Sequence, residues 1–177
     1  MKEIEAKILE VDAAQVKARL KALGAVCSFD DEMHAIYYDA PDHSLSQRQT
    51  TLRLRKEGGN AVLAVKKKDL AAPAGIKIAD EIETIVSDFA LTQQLLQMLG
   101  YEVILEMHKH RQQHELGNTH VVIDRYMEPH AHVPPFIEIE AQDVATLHLV
   151  AQQLGFHPSQ CVSLNSAELL QKYAPKG

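Results

Sequence analysis

Lys2-Glu3-Ile4-Glu5-Ala6-Lys7-Ile8, near the start of the chain, sets Glu3, Glu5 and Lys7 against Ile4, Ala6 and Ile8. Successive side chains of a strand point to opposite faces. The alternation therefore predicts a strand over Lys2 to Glu10 with one aliphatic and one ionic face. Thr51 to Arg55 repeats it, with Leu52 and Leu54 opposed to Arg53 and Arg55. Glu57-Gly58-Gly59-Asn60 then predicts a hairpin turn into a strand over Ala61 to Lys68, where Val62, Ala64, Lys66 and Lys68 share a face. Ile76 to Ile85 follows, setting Ile78, Asp80, Ile82 and Thr84 against Lys77, Ala79, Glu81 and Glu83.

Further strands are predicted at Tyr101 to Gln113 and Leu116 to Met127, joined at Gly117-Asn118, and at Pro135 to Ala141. Met33 to Asp39 has a less regular pattern of the same kind. Roughly eight strands are enough to close a small barrel. Helical spacing falls between them. Ala14 to Leu23 follows Asp12, a suitable N-cap, and stops at Gly24; Asp88 to Leu99 stops at Gly100. Val144 to Leu154, ending at Gly155, and Ser166 to Tyr173 complete the set. The expected class is α+β, a closed eight-stranded antiparallel β-barrel with helices packed outside, in a single domain over residues 1–177.

Composition narrows the function. The chain has 177 residues, 46% hydrophobic and 24% charged, which fits one folded domain. A net charge of -6 argues against a protein that binds nucleic acid over its whole surface, while leaving room for a local basic pocket. The charged N-terminus is no signal peptide, and no apolar run is long enough for a membrane span. Cys27 and Cys161 are far apart and form no CxxC unit, so a disulfide framework or zinc knuckle is not expected. A cytoplasmic protein is the default expectation.

The charged pairs carry the chemistry. Glu3/Glu5 with Lys7, Arg53/Arg55, Lys66/Lys68, Glu81/Glu83, Lys109/Arg111 and Glu138/Glu140 recur at the spacing of one strand face, with Asp124 alone. A sheet with a solvated outer face explains any single pair. The whole set has like signs clustered within strands and aliphatic residues opposite (Ile4, Leu52, Leu54, Ile82, Ile123, Ile137, Ile139). Helices can cover the aliphatic faces, which turns the ionic faces inward around a polar tunnel. Lining a barrel with both signs is costly unless it serves a ligand. Carboxylates suit a hard cation such as Mg²⁺ or Mn²⁺, and Lys and Arg suit a row of phosphates.

At these residues the sequence resembles the CYTH family, the triphosphate tunnel metalloenzymes. The family's opening ExExK is present as Glu3-Ile4-Glu5-Ala6-Lys7. Tyr38-Asp39, Leu52-Arg53-Leu54-Arg55, Val65-Lys66-Lys67, Glu81-Ile82-Glu83, Lys109-His110-Arg111, Asp124 and Phe136-Ile137-Glu138-Ile139-Glu140 follow in the family's order. Ser163-Leu164-Asn165 with Leu169-Leu170 is similar to its closing segment. The chain departs from the pattern at Ala79, where the family has an arginine, with Lys77 one step earlier on the same face. It departs again at Pro134-Pro135, near a usual glycine, and at Asn165, in place of a tyrosine.

The resemblance implies a divalent-metal enzyme, using Mg²⁺ or Mn²⁺, that acts on a small molecule containing a triphosphate. Carried over by position, Glu3, Glu5, Asp124, Glu138 and Glu140 would hold metal. Lys7, Arg53, Arg55, Lys66, Lys68, Lys109 and Arg111 would bind phosphates. Glu81, Glu83 and Lys66 are the catalytic candidates, the two glutamates serving a second metal, an attacking water or the alignment of the basic residues. Hydrolysis is the first expectation, since it needs only metal, phosphate clamp and water. The alternatives are a class IV adenylyl cyclase, making cyclic AMP and pyrophosphate from ATP, and a non-catalytic polyphosphate or nucleotide binder. No nucleic-acid or membrane partner is expected, and a homodimer is allowed because related proteins are often dimers.

Other motifs fall short. His114-Glu115 lacks the second histidine of HExxH, because Asn118 stands there. Gly58-Gly59 lacks the GKS or GKT ending of a phosphate loop. His130-Ala131-His132 lies in a proline-rich loop; His108 and His110 flank Lys109, and His110 reads as an outward or packing residue.

Overall fold

The computed structural model describes residues 2–175. Eight antiparallel strands close a barrel in the order β1-β5-β4-β3-β2-β6-β7-β8, with β8 returning to β1. The strands are β1 (Lys2–Ile8), β2 (Val26–Asp39), β3 (Thr50–Glu57), β4 (Asn60–Lys68), β5 (Lys77–Val86), β6 (Glu102–Leu116), β7 (Thr119–Tyr126) and β8 (Phe136–Ala141). Five helices are inserted: α1 (Ala13–Ala22), α2 (Ser44–Gln47), α3 (Phe89–Met98), α4 (Val144–Gln153) and α5 (Ser166–Lys172). Among the described residues no helix is long and apolar enough to cross a membrane.

Local chemistry sets the helix starts. Asp12 accepts from the N–H groups of Ala14 and Gln15, Asp88 from Leu91 and Asp143 from Thr146. Asn165, one of the departures from the family pattern, caps α5: its Oδ1 accepts from Glu168 N at 2.9 Å, and Glu168 Oε2 accepts from Asn165 N at 2.8 Å.

α1 and α4 cover the outer wall at β1, β7 and β8. Val16, Leu20, Leu147, Val150 and Ala151 pack there on Ala6, Ile8, Val121, Ile123, Ile137 and Ile139. Leu96 of α3 covers Ile36, Tyr38, Leu52 and Leu54. The cover is incomplete. Ile82, expected beneath a helix, is 78% exposed and pairs across the sheet with exposed Val65, outside the cluster in which Leu63 and Val86 pack with Leu96 of α3.

α5 does something different. Residues directly opposite in an antiparallel ladder share a face. The register pairs Ala35 with Arg55, Met33 with Lys109 and Phe136 with Asp124, so these apolar residues face inward beside the charges. Leu169 of α5 joins Met33, Ala35, Met107, Tyr126, Val133 and Phe136 in one buried cluster. That end of the barrel interior is filled by side chains, and the ionic tunnel occupies the remainder.

β2 is longer than its sequence pattern indicates, beginning at Val26 rather than Met33. The early half shows no clean alternation because most of it is exposed on both faces. It is held by pairing with β6, from Val26 opposite Glu115 to Asp39 opposite Glu102.

Candidate active site in the barrel tunnel

Barrel closure sorts the charged residues. On β1, Glu5 stands opposite Glu140 of β8 and Lys77 of β5, while Lys7 stands opposite Glu138. Lys66 faces Glu81 across β4–β5, and Arg111 faces Asp124 across β6–β7. The result is a cavity of about 460 Å³ walled by both signs of charge.

One carboxylate oxygen from each of Glu3, Glu5 and Glu140 lies within 4.8 Å of the other two. Burial pushes Glu140 up to about 7, helped by the charges of Glu3, Glu5 and Glu138. Burial also raises Glu5, but Lys7 and Lys77 outweigh it and hold that carboxyl well below the usual range. A crowded set of oxygen donors is what a hard divalent cation takes, so the trio fits Mg²⁺ or Mn²⁺.

Cations already guard these carboxylates. Lys66 Nζ donates to both oxygens of Glu3, at 2.6 and 2.8 Å, and lies 3.1 Å from Glu81. Lys77 Nζ donates to Glu5 Oε1 at 2.9 Å. Lys7 Nζ sits between Glu5, at 3.3 Å, and Glu138, at 3.1 Å. Its burial favours the neutral amine, yet Glu138 and Glu5 raise its pKa and keep it charged.

The opposite wall is basic. Arg53 and Arg55 project from β3, and Lys109 and Arg111 from β6. Among the described residues, buried Arg53 Nε and Nη2 meet no acceptor in good hydrogen-bond geometry, although Tyr37 lies beside the guanidinium. Arg55 Nη2 donates to Glu83 Oε2 at 3.3 Å, and Arg53 Nη2 lies 3.9 Å from Glu81 Oε1. Buried guanidinium donors beside open space are suited to an anionic ligand.

Most of the expected site residues meet here, in two roles. Glu3, Glu5 and Glu140 form the oxygen cluster. Glu138 is committed to cations: burial raises it, but Lys7, Lys109 and Arg111 outweigh that and hold it well below the usual range. Asp124, expected as a metal ligand, lies against Lys109 and Arg111, which bond both of its oxygens. Lys68 does not line the tunnel cavity; it lines a second depression with Lys2, Lys67, Asp69, Leu70, Ile78 and Asp80.

Tyr37, Gln113, His120 and Ser166 also line the tunnel, with Tyr37 Oη 3.1 Å from Ser166 Oγ. Gln113 is two residues beyond Arg111 on the same strand face, and that spacing alone could have flagged it. Lys77, on the same strand face as Ala79, lies opposite Glu5 and bonds its carboxylate.

A closed antiparallel barrel with an ionic tunnel, a carboxylate trio and a facing basic wall defines the class of protein. Residues 1–159 match the CYTH domain, and the chain belongs to that family. Solved structures agree on the fold. A candidate adenylate cyclase from Vibrio parahaemolyticus superposes with a TM-score of 0.81 at 20% identity, over 96% of this chain and 97% of that one. The PH1012 protein from Pyrococcus horikoshii OT3 gives 0.78 at 23% identity, over 94% and 98%. A candidate adenylyl cyclase from Hippeastrum with a dominant triphosphatase activity gives 0.70 at 14% identity, over 96% and 95%. No curated protein matches the chain.

Proposed function

We propose that the protein is a divalent-metal-dependent phosphohydrolase acting on a triphosphate bound in the tunnel. The observation that carries this reading is the opposition, within one cavity of about 460 Å³, of the Glu3–Glu5–Glu140 oxygen cluster to Arg53, Arg55, Lys66, Lys109 and Arg111. A triphosphate with its cation needs both walls at once. A solvated sheet face needs neither.

Mg²⁺ or Mn²⁺ held by Glu3, Glu5 and Glu140 would neutralise phosphate oxygens and activate a water. The chain's own groups do the positioning. Arg53 and Arg55 present planar donors to the phosphates, and Lys109 and Arg111 are aimed by Asp124. Lys66, released from Glu3, moves its charge onto a phosphate oxygen. Glu81 and Glu83 align Lys66, Arg53 and Arg55 and accept a hydrogen bond from the attacking water. Attack of that water on the terminal phosphorus, its proton passing to Glu81 or to a phosphate oxygen, breaks the bridging P–O bond and yields orthophosphate and the remaining diphosphate, which is pyrophosphate when the substrate is inorganic triphosphate. Fixed cations stabilise the charge that moves onto the leaving group.

The test is product analysis with inorganic triphosphate and with ATP, each with Mg²⁺ or Mn²⁺, using Glu3→Gln/Glu5→Gln as control. Orthophosphate that disappears in the control supports hydrolysis. Cyclic AMP with pyrophosphate replaces it with a cyclase. Metal-dependent binding without turnover makes the protein a triphosphate-binding protein.

A further inference from the structure

On the outer wall, away from the tunnel, two histidines and a carboxylate meet. His34 of β2 lies directly opposite His108 of β6, and Glu106, two residues before His108, shares its face. Met107 and Lys109, on either side of His108, face the interior. The two imidazoles stack with centroids 4.2 Å apart and planes 8° from parallel. His34 Nε2 is 2.7 Å from Glu106 Oε1, and Phe89 packs on the His34 ring at 5.2 Å. One ligating atom from each of the three residues lies within 4.8 Å of the other two.

We propose that His34, Glu106 and His108 form a second cation site, selective for borderline transition ions such as Zn²⁺, Ni²⁺ or Cu²⁺. Donor chemistry separates it from the tunnel. The tunnel trio offers only carboxylate oxygens, which suit hard ions, whereas two imidazoles and a carboxylate are a zinc-type ligand set. A cross-strand pair and an i+2 neighbour form a triangle on the longest ladder of the barrel, so binding needs side-chain torsions to change and the backbone to stay.

Parallel rings point their lone pairs side by side rather than at one point. Binding therefore turns the rings about χ2, a broad and soft torsion for histidine, until the lone pairs converge. Metal–ligand bonds of about 2.0–2.2 Å place the donors of a tetrahedral ion roughly 3.3 Å apart, a modest contraction of the present cluster. Glu106 is exposed, which leaves the fourth position to water. The ion would pin β2 to β6 beside the start of α3.

The test uses tag-free full-length protein, with Mg²⁺ in excess to occupy the tunnel. Zn²⁺ affinity is read by competition with a chromophoric indicator, and Cu²⁺ coordination by electron paramagnetic resonance. One Zn²⁺ equivalent should survive in Glu3→Gln/Glu5→Gln and in His130→Gln/His132→Gln. In His34→Gln/His108→Gln the affinity should fall by about a hundredfold. Cu²⁺ on the native protein should show hyperfine structure from two imidazole nitrogens. Should the histidine double variant fail to fold, Glu106→Gln, altered at an exposed side chain, takes its place with the same readouts. Unchanged Zn²⁺ affinity in the site variant, loss of the ion in either control, or an oxygen-only Cu²⁺ spectrum would overturn the assignment.

Discussion

Arg111 grips Asp124 with both arms of its guanidinium, Nε to Oδ1 at 2.9 Å and Nη2 to Oδ2 at 2.7 Å, and the carboxylate has no exposed surface. Lys109 bonds the same Oδ2. An ion entering here would have to strip two cations from a fully buried group. Asp124 is thus placed to aim the basic wall, Lys109 and Arg111. Asp124→Asn is expected to leave Mn²⁺ affinity unchanged while weakening triphosphate binding by about tenfold or more, and to destabilise the fold by about 3–5 kcal/mol. Titration calorimetry with each ligand, together with urea unfolding, checks this. Loss of Mn²⁺ affinity with phosphate binding intact would restore Asp124 as a metal ligand.

Lys66 occupies the Glu3 carboxylate of the proposed metal site. Its ammonium holds both oxygens of that carboxylate, so a cation must displace it, and an arriving phosphate offers it another partner. Lys66→Met is expected to tighten Mn²⁺ binding and to weaken triphosphate binding, each by about tenfold. Mn²⁺ should also bind the native protein more tightly when a non-hydrolysable triphosphate is present, because binding free energies are reciprocal. Paired titrations measure both effects.

Asp39 sets the corner from which β3 departs. Its carboxylate accepts from Ala40 N at 2.8 Å, Leu45 N at 2.9 Å, Ser46 N at 3.0 Å and the Ser46 hydroxyl. Burial pushes this carboxyl up, but the Ser46 hydroxyl and the three N–H groups outweigh it and hold it below the ordinary range. A depressed folded pKa adds stability that is complete above the unfolded value, about 3.9, and is lost as pH falls through the folded one. Asp39→Asn should cost about 1–3 kcal/mol at pH 7. The gap to the native protein should shrink only below about pH 4, as urea unfolding at stepped pH would show.

Gly75 occupies the loop before β5 with φ +79°, and a Cβ there would lie 2.5 Å from the carbonyl oxygen of Cys161. That oxygen belongs to backbone beside Val162, which bridges to Lys7. Gly75→Ala combines a left-handed strain with a clash that only backbone movement relieves. The expected loss is about 2–4 kcal/mol in thermal or urea unfolding, with reduced triphosphate affinity as Lys7 shifts.

The ionic lining was legible because a strand's side-chain period is two residues, so Glu3, Glu5 and Lys7 had to share a face whatever the fold. Gly24, Gly100 and Gly155 marked helix ends for an equally local reason, each adopting positive φ just past α1, α3 and α4. The early half of β2 was not legible, since its strand conformation depends on a distant partner, β6. The bare outer face at Ile82 and the inward role of α5 depended on which helix reaches which wall.

The sequence by itself determined the strand alternation, the helix caps and the sign of charge on each inner face. Only the tertiary structure decided which charges meet. Closure of β8 onto β1 sets Glu140 opposite Glu5, two carboxylates that meet in the oxygen cluster, and Glu138 opposite Lys7, an ion pair. The same register places Lys77 on Glu5 and gives Asp124 to Arg111 rather than to the oxygen cluster. The physical reason is one of range. Side-chain facing is set by neighbouring residues along the chain, whereas ion pairing falls off with distance and is fixed by barrel register between residues far apart in sequence.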